Sequence, residues 1–218
     1  MNDDFAASLL RAIGEFIATV AEPIPMTGFE SDSMWTRSMQ GMTQPPSTMA
    51  VPQNHGIQSI KKTDPGFDLQ AFLLHVGEMF SAYHEALDKG DLKPVRRFVD
   101  ESSYPALEEA ANRSGRSPVG VRALHVKAIR PMTAQHDDGL DLVRVLISAG
   151  QDGSPEPICE YWELIRKTGV VTKPGLTITK CPNCGGPVDG LDPTRCAYCG
   201  TRLADPALDW VVRKIMPQ

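Results

Sequence analysis

The sequence predicts an α+β fold, in which helices pack on an antiparallel sheet, with an extended N-terminal arm and a zinc-ribbon insertion. Helical patterns come first along the domain and strand patterns follow, which is the order typical of an α+β domain. Two close pairs of cysteines lie before the last strand pattern. With 218 residues, 41% of them hydrophobic, the chain can bury one ordinary core. We therefore expect one main domain, at residues 63–218.

Residues 1–22 are predicted to form an amphipathic helix. Between Asp3 and Ala21 apolar residues recur at spacings of three and four, and Pro23 and Pro25 end the pattern. The helix either packs on its own domain or binds a partner, and the sequence favours neither. Its apolar positions are Phe5, Leu9, Ile13, Phe16, Ile17 and Val20.

Residues 23–62 are predicted to be an extended arm or linker, because they are rich in proline and polar residues and show no sustained period. The arm also carries scattered large apolar residues, which a solvated linker does not need. We expect them to become ordered in grooves of other subunits, so that residues 1–62 join the chain to a larger protein complex. A wrap over the outer face of the sheet is the alternative. These anchors are Met26, Phe29, Met34, Trp35, Met39, Met42 and Met49.

The helices of the domain begin with a long, central one from Asp64 to Lys89. Asp64 is expected to cap it, Pro65 suits its first turn, and its nearly all-round apolar surface predicts burial. Two shorter helices are predicted after it, from Asp91 to Val99 and from Ser102 or Ser103 to about Ser114.

Four segments rich in branched and aromatic residues, separated by turn signals, are predicted to be strands. Several carry apolar residues at both alternating positions, so we expect both faces of the sheet to be covered. The helices would cover one face, and the arm or a second subunit the other, the latter giving a homodimer through the sheet face. The segments are Val119 to Met132, Leu140 to Ala149, Ile158 to Thr168 and Leu208 to Met216.

Residues 180–205 contain the strongest motif, C-x2-C-x11-C-x2-C, formed by Cys181, Cys184, Cys196 and Cys199. This spacing predicts a zinc ribbon that binds one Zn²⁺ per chain, because two residues between paired cysteines let both sulfurs reach one metal. Two disulfides or a redox dithiol are the alternatives. Disulfides would be expected with a secretory signal and a redox dithiol near a βαβ pattern, and the sequence indicates neither. Four protein ligands leave no position for water, so the predicted role is structural. Cys159 stands apart and is expected to be a small buried residue.

The charge pattern argues against several partners. The formal net charge is -5, and the charges of the ribbon nearly cancel, so we expect no nucleic-acid binding. No apolar run is long enough to span a membrane, and the first residues are acidic where a secretory signal would be basic. A cytoplasmic location is expected.

Several short motifs, taken in order, resemble the Tim44-like domain family. The run Asp64-Pro65-Gly66-Phe67-Asp68 looks like the start of that domain, and Glu160 to Arg166 is similar to its E-x-W-x-x-x-R strand. Bacterial members similarly place a Cys-Pro-Asn-Cys-Gly ribbon before a final Asp-Trp strand, as at Asp209-Trp210 here. The resemblance covers about Thr63 to Met216. It implies a cone-like fold of the nuclear-transport-factor-two-like class, with helices packed in the concavity of a curved antiparallel sheet. It also implies an adaptor role and peripheral contact with a membrane.

Catalysis is not expected, although cone-shaped domains of this class sometimes carry isomerase or dehydratase activity in their pocket. The candidate groups are His75 with Glu78 and His84 with Asp88, each pair being neighbours on a helix surface. Such pairs usually face solvent, and the sequence shows no third group near them. The rival hypothesis is a small-molecule or lipid-binding cone. A pocket holding either histidine with a second buried polar group would favour that rival, and a filled apolar core would favour the adaptor.

Overall fold

The computed structural model describes residues 55–113, 124–151, 154–188 and 192–217. Within these ranges helices come first and an antiparallel sheet of four strands follows, as the sequence predicted for an α+β domain. The predicted helix at 1–22, most of the arm and the first residues of the predicted first strand lie outside the described residues.

Each strand pairs with the next, in the order β1-β2-β3-β4, and the long connection between β3 and β4 contains the cysteine pairs. A short 3-10 helix, Lys93–Arg97, links the second and third α-helices. None of the helices in the described ranges is long and apolar enough to cross a membrane. The elements are α1 (His55–Thr63), α2 (Leu69–Lys89), α3 (Tyr104–Arg113), β1 (Leu124–Asp137), β2 (Leu140–Gln151), β3 (Ser154–Lys167) and β4 (Val211–Pro217).

Helix α1 lies inside the stretch that was predicted to be extended arm, so the prediction was wrong for residues 55–62. The helix is short and has few apolar residues, and it is stabilised by packing on β1 rather than by its own propensity. Ile57 and Ile60 are buried in the core. Gly56 permits the close approach, because a Cβ at this position would lie 1.7 Å from the carbonyl oxygen of Ala134. The packed domain therefore includes α1.

Helix α2 is the central helix that the sequence predicted, but it starts later. Asp68 caps it by accepting a hydrogen bond from the Ala71 N–H at 2.7 Å, and Gly90 ends it with a φ of 68°. The prediction that Asp64 is the cap was wrong. Asp64 is instead fully buried and bonded to Arg166 of β3.

The inner face of the sheet holds the main core against α2. The outer face is covered by the chain's own described residues at one end only, where Ala204 packs on Leu142, Ile165 and Val211. Beside that end, one row of paired positions on the outer face, Leu146, Tyr161 and Met216, is half-buried. The expectation of two covered faces is therefore met in part. The core positions on the inner face of β2, β3 and β4 include Val143, Val145, Ile147, Trp162, Leu164 and Val212.

Candidate functional site

The four ribbon cysteines converge at one point between β3 and β4. The sulfurs of Cys181, Cys184, Cys196 and Cys199 all lie within 4.8 Å of one another. They are the only group of three or more histidine, cysteine or acidic side chains in the described ranges with this potential to hold a metal ion. The sequence motif thus identified a real cluster.

Two similar turns build this cluster. In each, the N–H of a glycine donates to the carbonyl of the first cysteine, at 2.9 Å from Gly185 to Cys181 and from Gly200 to Cys196. Both glycines have positive φ, 73° and 70°, a conformation that glycine adopts without strain. Each half of the motif therefore contains a cysteine pair and the glycine that the turn requires.

The spacing of the sulfurs fits a tetrahedral metal centre. Two pairs, Cys181 with Cys199 and Cys184 with Cys196, have sulfurs 3.7 Å apart. A tetrahedron with metal–sulfur bonds of about 2.3 Å has edges of about 3.8 Å, whereas a disulfide requires about 2.05 Å. The cluster therefore fits a four-thiolate metal site and not a pair of disulfides.

Hydrogen bonds favour the thiolate form at one corner of the cluster. The side chain and the backbone N–H of Thr201 lower the pKa of Cys199 to about 6. A metal ligand must be a thiolate, so this environment prepares Cys199 for binding. Asn183 adds a side-chain N–H 3.8 Å from the same sulfur.

The ribbon is fastened to the domain by polar contacts on both sides. Lys173 donates from Nζ to the carbonyl of Pro182 at 2.6 Å, and the Ile178 N–H donates to Glu78 of α2 at 3.2 Å. The Lys167 N–H at the end of β3 donates to the carbonyl of Pro206 at 2.7 Å. The cluster thus links the end of β3 to the start of β4.

A second site surrounds His75 of α2, which is buried between two carboxylates. Its Nε2 lies 3.2 Å from Asp209 and its Nδ1 lies 3.6 Å from Glu78. Burial alone would lower the pKa of His75, but the interactions with Asp209 and Glu78 outweigh burial and raise it to about 9. The pairing with Glu78 was predicted, but Asp209 was missed because it comes from the distant segment before β4. The expectation that this pair faces solvent was wrong.

An apolar pocket with a volume of about 620 Å³ adjoins His75. It lies between the first half of α2 and residues 172–177, and Asp209 and Glu78 contribute to its wall. The described residues therefore place a buried polar cluster beside an apolar space large enough for a small molecule. Its apolar wall includes Phe67, Phe72, Leu74, Leu176 and Trp210.

His84 is also buried, but its partner is not the predicted one. Its Nε2 lies 3.2 Å from Glu160 of β3, and Glu160 also accepts a hydrogen bond from Trp162 Nε1 at 2.8 Å. The pairing with Asp88 was therefore wrong, since the side chain of His84 points toward the sheet. Glu160 also lines a second pocket, of about 450 Å³, between α2, α3 and β4.

The residues of the E-x-W-x-x-x-R motif share the inner face of β3. Arg166 is almost fully buried, and its guanidinium donates to Asp64 at 2.9 Å and to Thr172 at 2.8 Å. Burial alone would raise the pKa of Asp64, but hydrogen bonds from Thr172 and Arg166 lower it. The motif thus supplies the ion pair that joins β3 to the segment between α1 and α2.

Cys159 is not part of the metal cluster. It lies on the outer side of β3, is half-buried, and its thiol is 3.9 Å from the hydroxyl of Ser148. The expectation that it is buried was therefore wrong, because the outer face of β3 is only partly covered at this position.

Comparison with known proteins gives one match. The family model described as Tim44-like domain matches residues 53–175, more than half of the chain. The matched range includes α1, both buried histidines and β3, and it ends before the cysteine cluster. No curated protein and no solved structure matches the chain.

Proposed function

Because the chain belongs to the Tim44-like domain family, we propose that it is an adaptor or structural subunit that joins a larger protein assembly. The family match is the observation that carries this proposal. The assembly would lie in the cytoplasm or at the cytoplasmic face of a membrane. Residues 1–54 would make the main contact, through the predicted helix and the apolar anchors of the arm. The domain and the ribbon would dock as one body.

The finer features of the domain belong to the same proposal. The fold is of the nuclear-transport-factor-two-like class, which the helices on one face of the sheet and the bulges in β1 support. The metal is zinc, with a structural role, since four thiolates in a tetrahedron leave no open coordination position. A homodimer would use the outer-face row Leu146, Tyr161 and Met216, and replacing Leu146 by Lys should then shift the sedimentation profile to monomer.

The adaptor role is tested by deleting residues 1–52 of the full chain. The cut must stop there, because α1 begins at His55 and buries Ile57 and Ile60. We expect the full chain to run in a high-mass complex on native gels of cells that express it. The shortened protein should keep its circular dichroism spectrum and its metal, and should be absent from that complex.

A matched variant separates the effect of the arm's length from the effect of its apolar anchors. Replacing Phe29 and Trp35 by Ser keeps the length of the arm and removes two of its large apolar side chains. This variant should also weaken the complex. Full assembly by the deletion protein would refute the proposal, whereas loss of assembly together with loss of fold would show that the cut had damaged the domain.

The pocket beside His75 supports a second candidate function, binding of a small, largely apolar molecule, with isomerase- or dehydratase-like chemistry as its extension. The observation that favours it is the pair formed by the buried His75 and the partly buried Asp209 at the wall of the 620 Å³ pocket. Trp210 lines this pocket, so an apolar probe such as anilinonaphthalene sulfonate should quench its fluorescence with saturation. Replacing Leu74 by Trp would fill the pocket and should abolish binding. An unsaturable signal, unchanged in that variant, would exclude this function.

A further inference from the structure

Three polar side chains at the junction of α1 with the β1–β2 hairpin form a connected chain. Ser59 Oγ lies 2.7 Å from His136 Nε2, and His136 Nδ1 lies 2.6 Å from Asp141 Oδ1. Ser59 is on α1, His136 is near the end of β1, and Asp141 is the second residue of β2. Neither the adaptor role nor the metal cluster uses these residues.

Asp141 fixes the orientation of the imidazole. It is fully buried, it accepts a hydrogen bond from Thr168 at 2.9 Å, and Arg166 lies 3.6 Å from its second oxygen. An ionised carboxylate can only accept hydrogen bonds, so His136 carries its proton on Nδ1. The lone pair on Nε2 is then directed at the hydroxyl of Ser59, which donates to it.

This is the arrangement that activates a serine nucleophile: a base within hydrogen-bond reach of the hydroxyl, oriented by a third group. The serine is also accessible, because Ser59 is half-buried and the His136 side chain is 33% exposed. We propose that Ser59 is an activated acyl acceptor, with His136 as its general base and Asp141 as the group that positions the base. Its substrates are esters or thioesters that can approach from solvent.

The reaction balances without any further reagent. Ser59 Oγ bonds to the acyl carbon while its proton passes to His136 Nε2. The bond from that carbon to the leaving alcohol or thiol breaks, and the leaving group takes the proton from His136. The product is an O-acyl serine, and His136 returns to its neutral form.

The position of Ser59 also limits the rate at which the acyl group is transferred and released. It lies in the middle of α1, where backbone N–H groups are bonded to carbonyls four residues earlier. The N–H groups of Ser59 and of the residues after it in α1 therefore do not supply an oxyanion hole, whose loss costs roughly 10²- to 10³-fold in rate. We expect one acylation per chain and then slow hydrolysis, which is compatible with an adaptor that carries a covalent mark.

The test uses the full-length, metal-loaded chain and a fluorophosphonate probe, which reacts with activated serines by losing fluoride. Peptide mapping by mass spectrometry should place one adduct on Ser59. Ser102 is the internal reference, since it is exposed and bonded to Asp100 without a histidine. Ser59→Ala should remove the adduct. His136→Gln should slow labelling about 100-fold, in line with the usual contribution of a general base.

Folding is checked on the same samples by thermal unfolding, because His136 contacts the buried Asp141 and Ser59 is half-buried. If the hydrogen bond between Ser59 and His136 were purely structural, Ser59 would be labelled no faster than Ser102. The rate of labelling of Ser59 would then also be the same in His136→Gln as in the unmodified protein. Either result from a folded protein would overturn the proposal. Imidazole added to His136→Ala should restore labelling, and lack of rescue would exclude His136 as the base.

Discussion

Each ribbon cysteine would provide one corner of the proposed tetrahedral metal site, so each should matter in the same way regardless of its exposure. Cys181 and Cys196 are buried and pack with Leu203, whereas Cys184 and Cys199 are exposed. Exposure alone would suggest that the last two are dispensable. Coordination suggests the opposite, because three thiolates leave the fourth position of the metal to water.

We predict that Cys184→Ser lowers the affinity for zinc by more than the roughly 10- to 100-fold that loss of a hydrogen-bond partner of a ligand costs. Elemental analysis should give one zinc per chain for the unmodified protein and less for the variant. Cys159→Ser is the matched control and should keep a full complement. Local unfolding should reach Trp210 but not Phe72, which can be followed by hydrogen exchange. Freshly purified, reduced protein without zinc would contradict this prediction.

His75 makes stability depend on pH in a defined direction. Its pKa is raised from 6.5 to about 9 in the folded protein, because Asp209 and Glu78 outweigh the effect of burial. Protonation is therefore more favourable in the folded state. The stabilisation is complete below pH 6.5 and is lost as the pH rises through about 9.

We predict that the stability of the unmodified protein falls by on the order of 2 kcal/mol more than that of His75→Gln over this interval. Urea unfolding at a series of pH values measures the difference. Parallel profiles for the unmodified protein and His75→Gln would show that His75 is not a folded-state cation.

At the scale of elements, the regular pattern of the sequence predicted α2, the later strands and the ribbon. It missed α1, since only Ile57 and Ile60 mark its buried side and its stability comes from contact with β1. It also missed the partner that each histidine finds outside α2, because Asp209 and Glu160 meet α2 only after the sheet has formed. Spacing along one helix can reveal neighbours on that helix and nothing beyond it.

The cluster around Arg166 joins β3 to β2 and to the segments before α2 and β4. Its guanidinium contacts Asp64 after α1 and Asp141 of β2, and it stacks on Trp210 at 4.6 Å before β4. The side chain is 1% exposed, so removing it leaves two carboxylates in the interior without their cation.

We predict that Arg166→Met destabilises the fold by about 3–5 kcal/mol, the usual cost of breaking a buried ion pair. Arg144→Met is the matched control on the outer face. Arg144 is 48% exposed, and Glu163 keeps a second partner in Arg213, so the expected loss is below about 1 kcal/mol. Equal losses in denaturant unfolding would show that the Arg166 cluster does not act as a joint between elements.

At the scale of the whole molecule, the proposed adaptor role depends on residues 1–54, which precede the packed domain. Their predicted contacts are with protein, since the helix at 1–22 carries acidic residues where a lipid-binding helix needs basic ones. Asp3, Asp4, Glu15 and Glu22 outnumber Arg11. Any membrane association of the assembly would then come from its partner.

We therefore predict little or no flotation of the isolated full chain with vesicles of phosphatidylcholine and phosphatidylserine. Each basic residue near such a surface contributes about 1 kcal/mol, and each acidic one opposes binding. The double variant Asp3→Lys with Asp4→Lys keeps the apolar side of the helix and adds four units of positive charge. It should float at low salt and be released as the salt concentration rises. Strong flotation of the unmodified chain would show that the apolar side alone anchors it, and the adaptor would then bind the membrane directly.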